Sequence, residues 1–219
     1  HRSTKAAVVE DLLVSVVDEL QDAAERDDLG EVSAIGIGAA GFVGADRSTV
    51  VFAPHLSWRN EPLRENLRAR CAFPVFVDND ANTACWAEWR FGAVAGESHV
   101  IMVNLGTGIG GAMIHDGRLV PNFEVGSLEL DGVMAESRAS AKARERDQLS
   151  WAEYAERLQR FFSHVERIFS PDLFIVGGGI SKRPDDYLPL LRLRTPIVPA
   201  QLQNNAGIVG AAMRAATDG

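Results

Sequence analysis

A strongly apolar segment, Val100–Leu105, runs directly into the glycine-rich sequence Gly106-Thr-Gly-Ile-Gly-Gly111. The apolar run predicts a buried strand, and the glycines permit a tight turn in which backbone N–H groups converge on an anion. Asp116-Gly117 then predicts a hairpin turn, so a second strand follows the glycines. The segment is not a dinucleotide-binding fingerprint, because that motif needs a helix after the glycines. It is not a Walker loop either, because no lysine follows the glycines. A phosphate-binding loop and a plain glycine-rich hairpin both remain open at this point.

Strands alternate with helices along the rest of the chain, which predicts an α/β fold with a mainly parallel sheet and one hairpin. The best-marked helix is Trp151–Phe169, because Ser150 and Glu153 form a capping-box pattern in front of it. The other predicted helices cover 3–20, about 60–70 with Asn60 as N-cap, a segment through Trp86 and Trp89, and about 204–216. The other predicted strands cover 32–38, 73–77 and 172–176.

The composition of the chain argues against some classes of binding partner. The net charge of -8 argues against a nucleic-acid-binding protein, which usually carries a basic stripe. No apolar stretch approaches the roughly 20 residues of a membrane span, so we expect no membrane partner. Cys71 and Cys85 show no metal-ligand or redox spacing, and we expect both to be reduced thiols in the cytoplasm. The first residue is His1 and not Met, so we expect a chain that is cut or processed at its front.

The sequence Asp78-Asn-Asp-Ala-Asn82 follows a predicted strand. The carboxyl ends of strands are where α/β folds usually bind ligands. Transfer of a phosphoryl group to a sugar hydroxyl needs a carboxylate that accepts the hydroxyl proton, and Asp80 is our candidate for this base. Asn79 is a candidate sugar ligand. The alternative is an Asx-rich turn in which Asp78 is only a helix N-cap.

Two further motifs are weak by themselves. Gly177-Gly-Gly179 follows an apolar strand and would let a flat ligand lie against bare backbone, but it is equally consistent with a packing turn. Glu124 and Glu129 follow the hairpin and could each bind a pair of sugar hydroxyls. Acidic residues are common on surfaces, so these two alone are weak evidence for a sugar-binding site.

The order of these motifs is more specific than any one of them, and it resembles the ROK family of sugar kinases and sugar-responsive repressors. The first part is similar to actinobacterial glucokinases and the later part to actinobacterial polyphosphate glucokinases. The segments that carry the similarity are 36–41, 52–60, 79–82, 114–122, 170–181, 194–200 and 203–212.

This resemblance implies an actin/hexokinase-like, ribonuclease H-like fold of two lobes. A small first lobe would comprise 1–99 together with the C-terminal helix 204–219, and a larger lobe 100–203. It also implies a cytoplasmic, homodimeric glucokinase that converts glucose to glucose 6-phosphate with ATP or inorganic polyphosphate and Mg²⁺. Asp80 would be the base, with Asn79 and Glu124 on glucose. The donor phosphates would lie on Gly106, Thr107, Gly108, Gly110 and Gly111, and adenosine near Gly177, Gly178 and Gly179.

Three departures qualify this implication. The family's opening Asp-x-Gly-Gly-Thr phosphate loop is absent, so we expect the first lobe to be truncated. The usual Glu-x-Gly-His reads Glu124-Val-Gly-Ser127, and the cysteine-rich zinc loop is missing, so we expect no zinc. Glu129 would supply the second sugar-binding carboxylate in place of the histidine. A catalytically dead fragment and a sugar-binding regulator remain as alternatives.

The phosphoryl donor is harder to predict. Arg138, Lys142 and Arg146 recur every four residues on a predicted helix and could receive a polyphosphate chain. Acidic residues are interleaved with them, so a solvated, salt-bridged helix face is the favoured alternative. These acidic residues are Glu136, Glu145 and Asp147.

Overall fold

The structure, a computed structural model, describes residues 5–53, 56–92 and 97–217. Its helices are α1 (Ala6–Arg26), α2 (Leu63–Arg68), α3 (Asp80–Phe91), α4 (Glu136–Ala139), α5 (Ala141–Arg146), α6 (Trp151–Phe169) and α7 (Ala206–Thr217). Its strands are β1 (Ile35–Ala39), β2 (Phe42–Val43), β3 (Val50–Ala53), β4 (Trp58–Glu61), β5 (Val75–Asn79), β6 (His99–Leu105), β7 (Ile109–His115), β8 (Arg118–Val120), β9 (Glu129–Leu130), β10 (Val133–Met134), β11 (Leu173–Gly177) and β12 (Ile197–Pro199). None of the described helices combines the length and apolar composition of a membrane-spanning helix.

The chain divides into two compact units. The first comprises the residues up to Ala84 and those from Gly207 onward, and the second comprises Cys85–Ala206. The chain therefore passes from the first unit into the second within α3 and returns at the start of α7. The lobe boundaries implied by the family resemblance, at residues 99 and 204, stay a prediction.

The first unit contains a parallel pair of strands, β1 and β5, and an antiparallel sheet in the order β2-β3-β4. Its core lies between these strands and helices α1 and α2. The core includes Val50, Trp58, Leu63, Leu67, Val75 and Val77. Helix α1 packs Val9, Leu13 and Val14 against this cluster. It is longer than predicted at its C-terminal end, and Ser3, where the prediction began, lies outside the described residues.

The prediction of Asn60 as an N-cap is wrong. Asn60 lies in strand β4, with φ of 50°, and Pro62 is the residue that precedes helix α2. The pairing of Val50 with Glu61 extends the sheet past Asn60. Asparagine tolerates the left-handed region better than most residues, because its short polar side chain bonds locally. Pro54 and His55, in the aromatic loop before this strand, lie outside the described residues.

The second unit is built on a mixed five-stranded sheet in the order β12-β11-β6-β7-β8. Strands β12, β11 and β6 are parallel, and β6-β7-β8 are antiparallel, with the predicted hairpin at Asp116-Gly117 between β7 and β8. Helix α6 covers the sheet with buried Tyr154, Leu158, Phe161, Phe162 and Val165. Both bonds of its predicted capping box are present. This local signal predicted the start of α6 correctly.

The single helix predicted to carry Arg138, Lys142 and Arg146 does not exist. The segment forms two short helices, α4 and α5, which are separated at Ser140 with ψ of 158°. The Ser140 hydroxyl accepts a hydrogen bond from the backbone N–H of Ala143 at 3.1 Å and so caps α5. Because the helix is interrupted, a four-residue repeat of basic residues does not form one continuous face.

Candidate active site

Asn79 ends strand β5 and caps helix α3 in the first unit. Its Oδ1 accepts hydrogen bonds from the backbone N–H groups of Ala81 at 2.9 Å and Asn82 at 3.1 Å. Its Nδ2 donates to the carbonyl oxygen of Gly41 at 2.9 Å, which ties it to the glycine-rich turn after β1. The capping function that sequence reasoning weighed for Asp78 therefore belongs to Asn79. Its second amide N–H makes no hydrogen bond to the residues that the structure describes.

Asp78 is buried, and its carboxylate hydrogen-bonds to two residues of the same turn. Its Oδ1 accepts hydrogen bonds from the Asn79 backbone N–H at 2.8 Å and from Asn82 Nδ2 at 2.9 Å. Its Oδ2 lies 3.8 Å from the Arg47 guanidinium and 3.7 Å from Nε of Arg214. The arginines come from the turn before β3 and from α7, so sequence reasoning missed both. No signal in the sequence connects residues so far apart.

Asp80 is the first residue of α3, and its side chain reaches solvent. The surrounding protein nevertheless removes enough water from the carboxylate to raise its pKa above the ordinary value. Backbone N–H groups of Ala81 and of Asp80 itself act in the opposite direction, and the bond from Ala81 is 2.9 Å long. A carboxylate with a raised pKa is a stronger base, which suits the predicted role.

The glycine-rich loop of the second unit joins β6 to β7 and borders an open cavity. The cavity has a volume of about 650 Å³. A side chain at Gly106 would meet no described atom within 4 Å, so the loop backbone is accessible there. The residues that line the cavity are Leu105, Gly106, Thr107, Ala141, Lys142, Arg144, Glu145, Trp151, Gly179, Ile180 and Arg183. Thr107, one of the predicted phosphate-binding residues, is exposed, so its hydroxyl is accessible.

Helices α4 and α5 hold this loop from one side. The backbone N–H of Lys142 donates to the carbonyl oxygen of Gly106 at 3.1 Å. Glu136 Oε2 accepts from the backbone N–H of Ile109 at 3.5 Å, and a Cβ atom on Gly108 would lie 2.6 Å from the same oxygen. A carboxylate therefore already contacts this loop, at the backbone N–H of Ile109.

The structure brings Glu124 close to the glycine-rich loop. A Cβ atom on Gly126 would lie 2.1 Å from the carbonyl oxygen of Ile109, and one on Gly111 would lie 2.5 Å from Val125 Cγ2. The turn Glu124–Gly126 thus packs backbone to backbone on the start of β7. Glu124 is half-buried. Glu129, by contrast, is exposed on β9.

The three glycines after β11 have different environments. A Cβ atom on Gly177 would lie 2.0 Å from Asn104 Oδ1, and one on Gly178 would lie 2.5 Å from the carbonyl oxygen of Leu105. Gly178 also has φ of 81°, so this position needs glycine, whereas at Gly177 the nearest atoms belong to the side chains of Asn104 and Met102. Gly179 meets no described atom within 4 Å and lines the cavity. Gly179 is therefore the most accessible of the three glycines, and the nucleotide contact stays a prediction for all of them.

Of the three basic residues predicted to receive a polyphosphate chain, one borders the cavity and two lie beside acidic side chains. Lys142 lines the cavity, whereas Arg138 lies 4.0 Å from Asp131 and Arg146 forms a 2.7 Å ion pair with Asp147. Two further cavity cations, Arg144 and Arg183, were missed by sequence reasoning. It assumed one continuous helix, and a four-residue spacing cannot reveal a break at Ser140.

Metal ligands do not cluster in the described ranges. No group of three or more His, Cys, Asp or Glu side chains within them is arranged to hold a metal ion. Both cysteines are free, with Cys71 half-buried and Cys85 buried.

The fold defined by these units is the actin/hexokinase-like fold of sugar kinases. A crystal structure of an inorganic polyphosphate/ATP-glucomannokinase from Arthrobacter sp. strain KM matches with a TM-score of 0.89 and 51% identity. The match covers 98% of this chain and 85% of that one. The family model described as "ROK family" matches residues 1–122, which is more than half of the chain. The chain belongs to the ROK family.

The chain is also similar in sequence to two bacterial glucokinases. It is 44% identical over 164 residues to a polyphosphate glucokinase of Mycobacterium tuberculosis, over 74% of this chain and 62% of the relative. It is 32% identical over 269 aligned positions to a glucokinase of Streptomyces coelicolor, over 90% of this chain and 85% of the relative. The chain thus spans less than two thirds of the length of the polyphosphate glucokinases that it matches.

Proposed function

We propose that this chain phosphorylates glucose to glucose 6-phosphate with ATP or inorganic polyphosphate as the donor. The observation that carries the proposal is the carboxylate of Asp80, solvent-accessible at the start of α3 and with a raised pKa, directly after the capping Asn79. The names of the relatives support the choice of substrates, since they are a glucokinase, a polyphosphate glucokinase and a polyphosphate/ATP-glucomannokinase.

Each sugar-site residue has a proposed task. Asp80 accepts the proton of the attacking sugar hydroxyl, which makes its oxygen a better nucleophile. Asn79 donates its remaining N–H to a sugar hydroxyl, while its other bonds keep the amide in one orientation. Glu124 and Glu129 accept hydrogen bonds from further hydroxyls of the sugar.

The donor's phosphates would bind at the glycine-rich loop. Gly106, Thr107, Gly108, Gly110 and Gly111 would border the phosphates. The backbone N–H of Gly106 already donates to the carbonyl oxygen of Gly108 at 3.0 Å, so the proposed donors are the N–H groups of Thr107 and Gly108 and the Thr107 hydroxyl. Gly179 and its neighbours Gly177 and Gly178 would lie near adenosine when ATP is the donor. Phosphoryl transfer depends mainly on positioning and on charge stabilisation, so accessible loop N–H groups suit this task.

A magnesium ion is compatible with the described residues. Mg²⁺ keeps several water ligands and usually binds through one or two carboxylates and the substrate's phosphates, so it does not need a cluster of protein ligands. Glu136, whose carboxylate contacts the loop, is our proposed protein ligand. The ion would neutralise negative charge on the phosphates. The absence of zinc, a homodimeric assembly and a cytoplasmic location remain proposals that rest on the sequence and the family resemblance.

The test combines glucose binding with phosphoryl transfer. Glucose titration by calorimetry and a coupled assay for glucose 6-phosphate, with ATP and with polyphosphate, should both give a signal. Asp80→Asn should bind glucose and lose turnover, whereas Asp22→Asn, an exposed acid on α1, should match the wild type. Glucose binding without transfer would favour a sugar-binding regulator or an inactive fragment. Failure to bind glucose would contradict the proposal.

A further inference from the structure

Arg144 is held against an aromatic ring at the wall of the cavity. Its guanidinium carbon lies 3.8 Å from the ring centroid of Trp151, the first residue of α6. Trp151 also stacks on Tyr187, with ring centroids 5.9 Å apart and an interplanar angle of 18°. A guanidinium on an aromatic face keeps its orientation and loses little hydration free energy compared with an ammonium. The position of Arg144 is therefore determined before any ligand arrives.

The charge of Arg144 has no counter-ion within the described part of the chain. Its Nε is buried and makes no hydrogen bond there, and no described carboxylate lies within 4.0 Å of its guanidinium. The neighbouring arginines differ, because Arg146 pairs with Asp147 and Arg183 pairs with Asp186. A partly buried cation without a partner is costly, so an anion from outside would be strongly favoured.

The guanidinium and the glycine-rich loop border the same open space. Arg144 lines the cavity together with Gly106 and Thr107, and Lys142 adds a second positive charge. We propose that Arg144 forms an anion subsite that binds the part of a linear phosphate chain beyond the phosphate group at the glycine-rich loop. This proposal rests on the proposed function, because it assigns the loop to the donor.

The chemistry of the site favours a phosphate chain over a nucleobase at this position. Stacked arginine directs its planar N–H groups outward, and these match two phosphate oxygens at once. Trp151 is already in contact with Arg144 and Tyr187, so it supports the guanidinium and does not offer a free face for a base. Inorganic polyphosphate and the triphosphate of ATP share the ligand chemistry that this subsite recognises.

Titration with sodium tripolyphosphate tests the subsite directly. We expect Arg144→Gln to weaken tripolyphosphate binding by about tenfold or more, because it removes a charge-assisted contact. Arg144→Lys should recover only part of the affinity, since an ammonium cannot make the planar double contact. The matched control is Arg146→Gln, two residues along the same helix and paired with Asp147, which should bind within about twofold of the wild type.

Three results would overturn the subsite. These are wild-type protein that does not bind tripolyphosphate, unchanged affinity in Arg144→Gln, and an equal loss in Arg146→Gln, which would indicate attraction by net charge alone. Circular dichroism checks that the variants are folded. If Arg144→Gln does not fold, Arg144→Lys decides, and a folded Arg144→Lys with full affinity refutes the planar contact.

Two further measurements distinguish inorganic polyphosphate from ATP as the ligand and separate the subsite from the proposed kinase activity. A loss with both tripolyphosphate and ATP supports a subsite for phosphate chains in general, and a loss with tripolyphosphate alone supports one for the inorganic chain. Glucose titration of the same variants should be unchanged. A wild-type protein that binds tripolyphosphate through Arg144 but does not bind glucose would contradict the kinase proposal and leave the subsite established.

Discussion

A Cβ atom on Gly210 would lie 1.7 Å from the carbonyl oxygen of Thr83. Gly210 is in the C-terminal helix α7, and Thr83 is in the first turn of α3, one turn after the predicted base. Helix α7 makes a similar approach to β1, where a Cβ atom on Gly36 would lie 1.9 Å from the carbonyl oxygen of Ala211. Only glycine permits backbones to come this close. The last helix therefore supports the elements that carry Asn79 and Asp80.

Replacement of Gly210 by alanine should destabilise the first unit. The added methyl group collides with backbone and not with a flexible side chain, so we expect a loss of about 1–3 kcal/mol in the free energy of unfolding. The control is Gly207→Ala in the same helix, where the nearest described atom would be 4.0 Å away. That change should be neutral or stabilising by up to about 1 kcal/mol, because alanine favours helix. Urea unfolding followed by circular dichroism compares them, and equal effects would contradict the packing argument.

Asp80→Asn should reduce glucose phosphorylation by about 10²- to 10⁴-fold, the usual effect of losing a general base. The amide can still accept a hydrogen bond from a hydroxyl, so the affinity for glucose should change far less. Turnover and glucose binding are measured side by side, with Asp22→Asn as the control. Unchanged turnover would remove Asp80 from the mechanism.

The pH dependence follows from the direction of the Asp80 pKa. Desolvation raises this pKa, and the base must be ionised to accept a proton. Activity should therefore fall as the pH drops through the raised pKa, at a higher pH than an ordinary aspartate would give. Profiles of kcat/KM against pH measure this limb in the wild type. If the residual activity of Asp80→Asn shows the same acidic limb, a group other than Asp80 titrates there.

Glu88→Ala should destabilise the second unit. Glu88 is fully buried, and its carboxylate accepts hydrogen bonds from the backbone N–H groups of Leu202 at 2.6 Å and Gln201 at 3.0 Å. We expect a loss of roughly 3 kcal/mol or more, since bonds to charged groups contribute roughly 1.5 kcal/mol or more each. Glu88→Gln keeps the shape and one acceptor oxygen, so its loss should be smaller. Urea unfolding is followed by tryptophan fluorescence, and equal stability of Glu88→Ala and wild type would contradict a stabilising role for the Glu88 carboxylate.

The two thiols should differ in reactivity. Burial raises the pKa of Cys85 to about 12, and the side chain is inaccessible, so little thiolate is available for reaction. Cys71 is half-buried, and desolvation raises its pKa as well, so it should react slowly. A thiol reagent at mildly alkaline pH should label only Cys71 in the native protein and both residues after denaturation. Labelling of native Cys71→Ser would show that Cys85 becomes exposed.

The elements with strong local signals could be predicted from the sequence. Helix α6 begins and ends where its capping box and Pro171 indicate, and the hairpin β7–β8 forms at Asp116-Gly117. The glycine-rich loop and the polar cluster after β5 also lie at strand ends as predicted. These features depend on neighbouring residues, whose backbone preferences and hydrogen bonds act over a few positions.

Other features were decided by tertiary structure. The sequence alone did not reveal the break at Ser140, the position of Asn60 in β4, or the arginines that surround Asp78. It also did not show that Arg144, and not Arg138 or Arg146, borders the cavity. Apart from the break at Ser140, which a local bond to Ala143 supports, each of these depends on contacts between separate segments of the chain, and such contacts override local preference when they bury polar groups or satisfy their hydrogen bonds. The sequence alone determined which chemical groups this protein carries, and the tertiary packing decided which of them are accessible to a ligand.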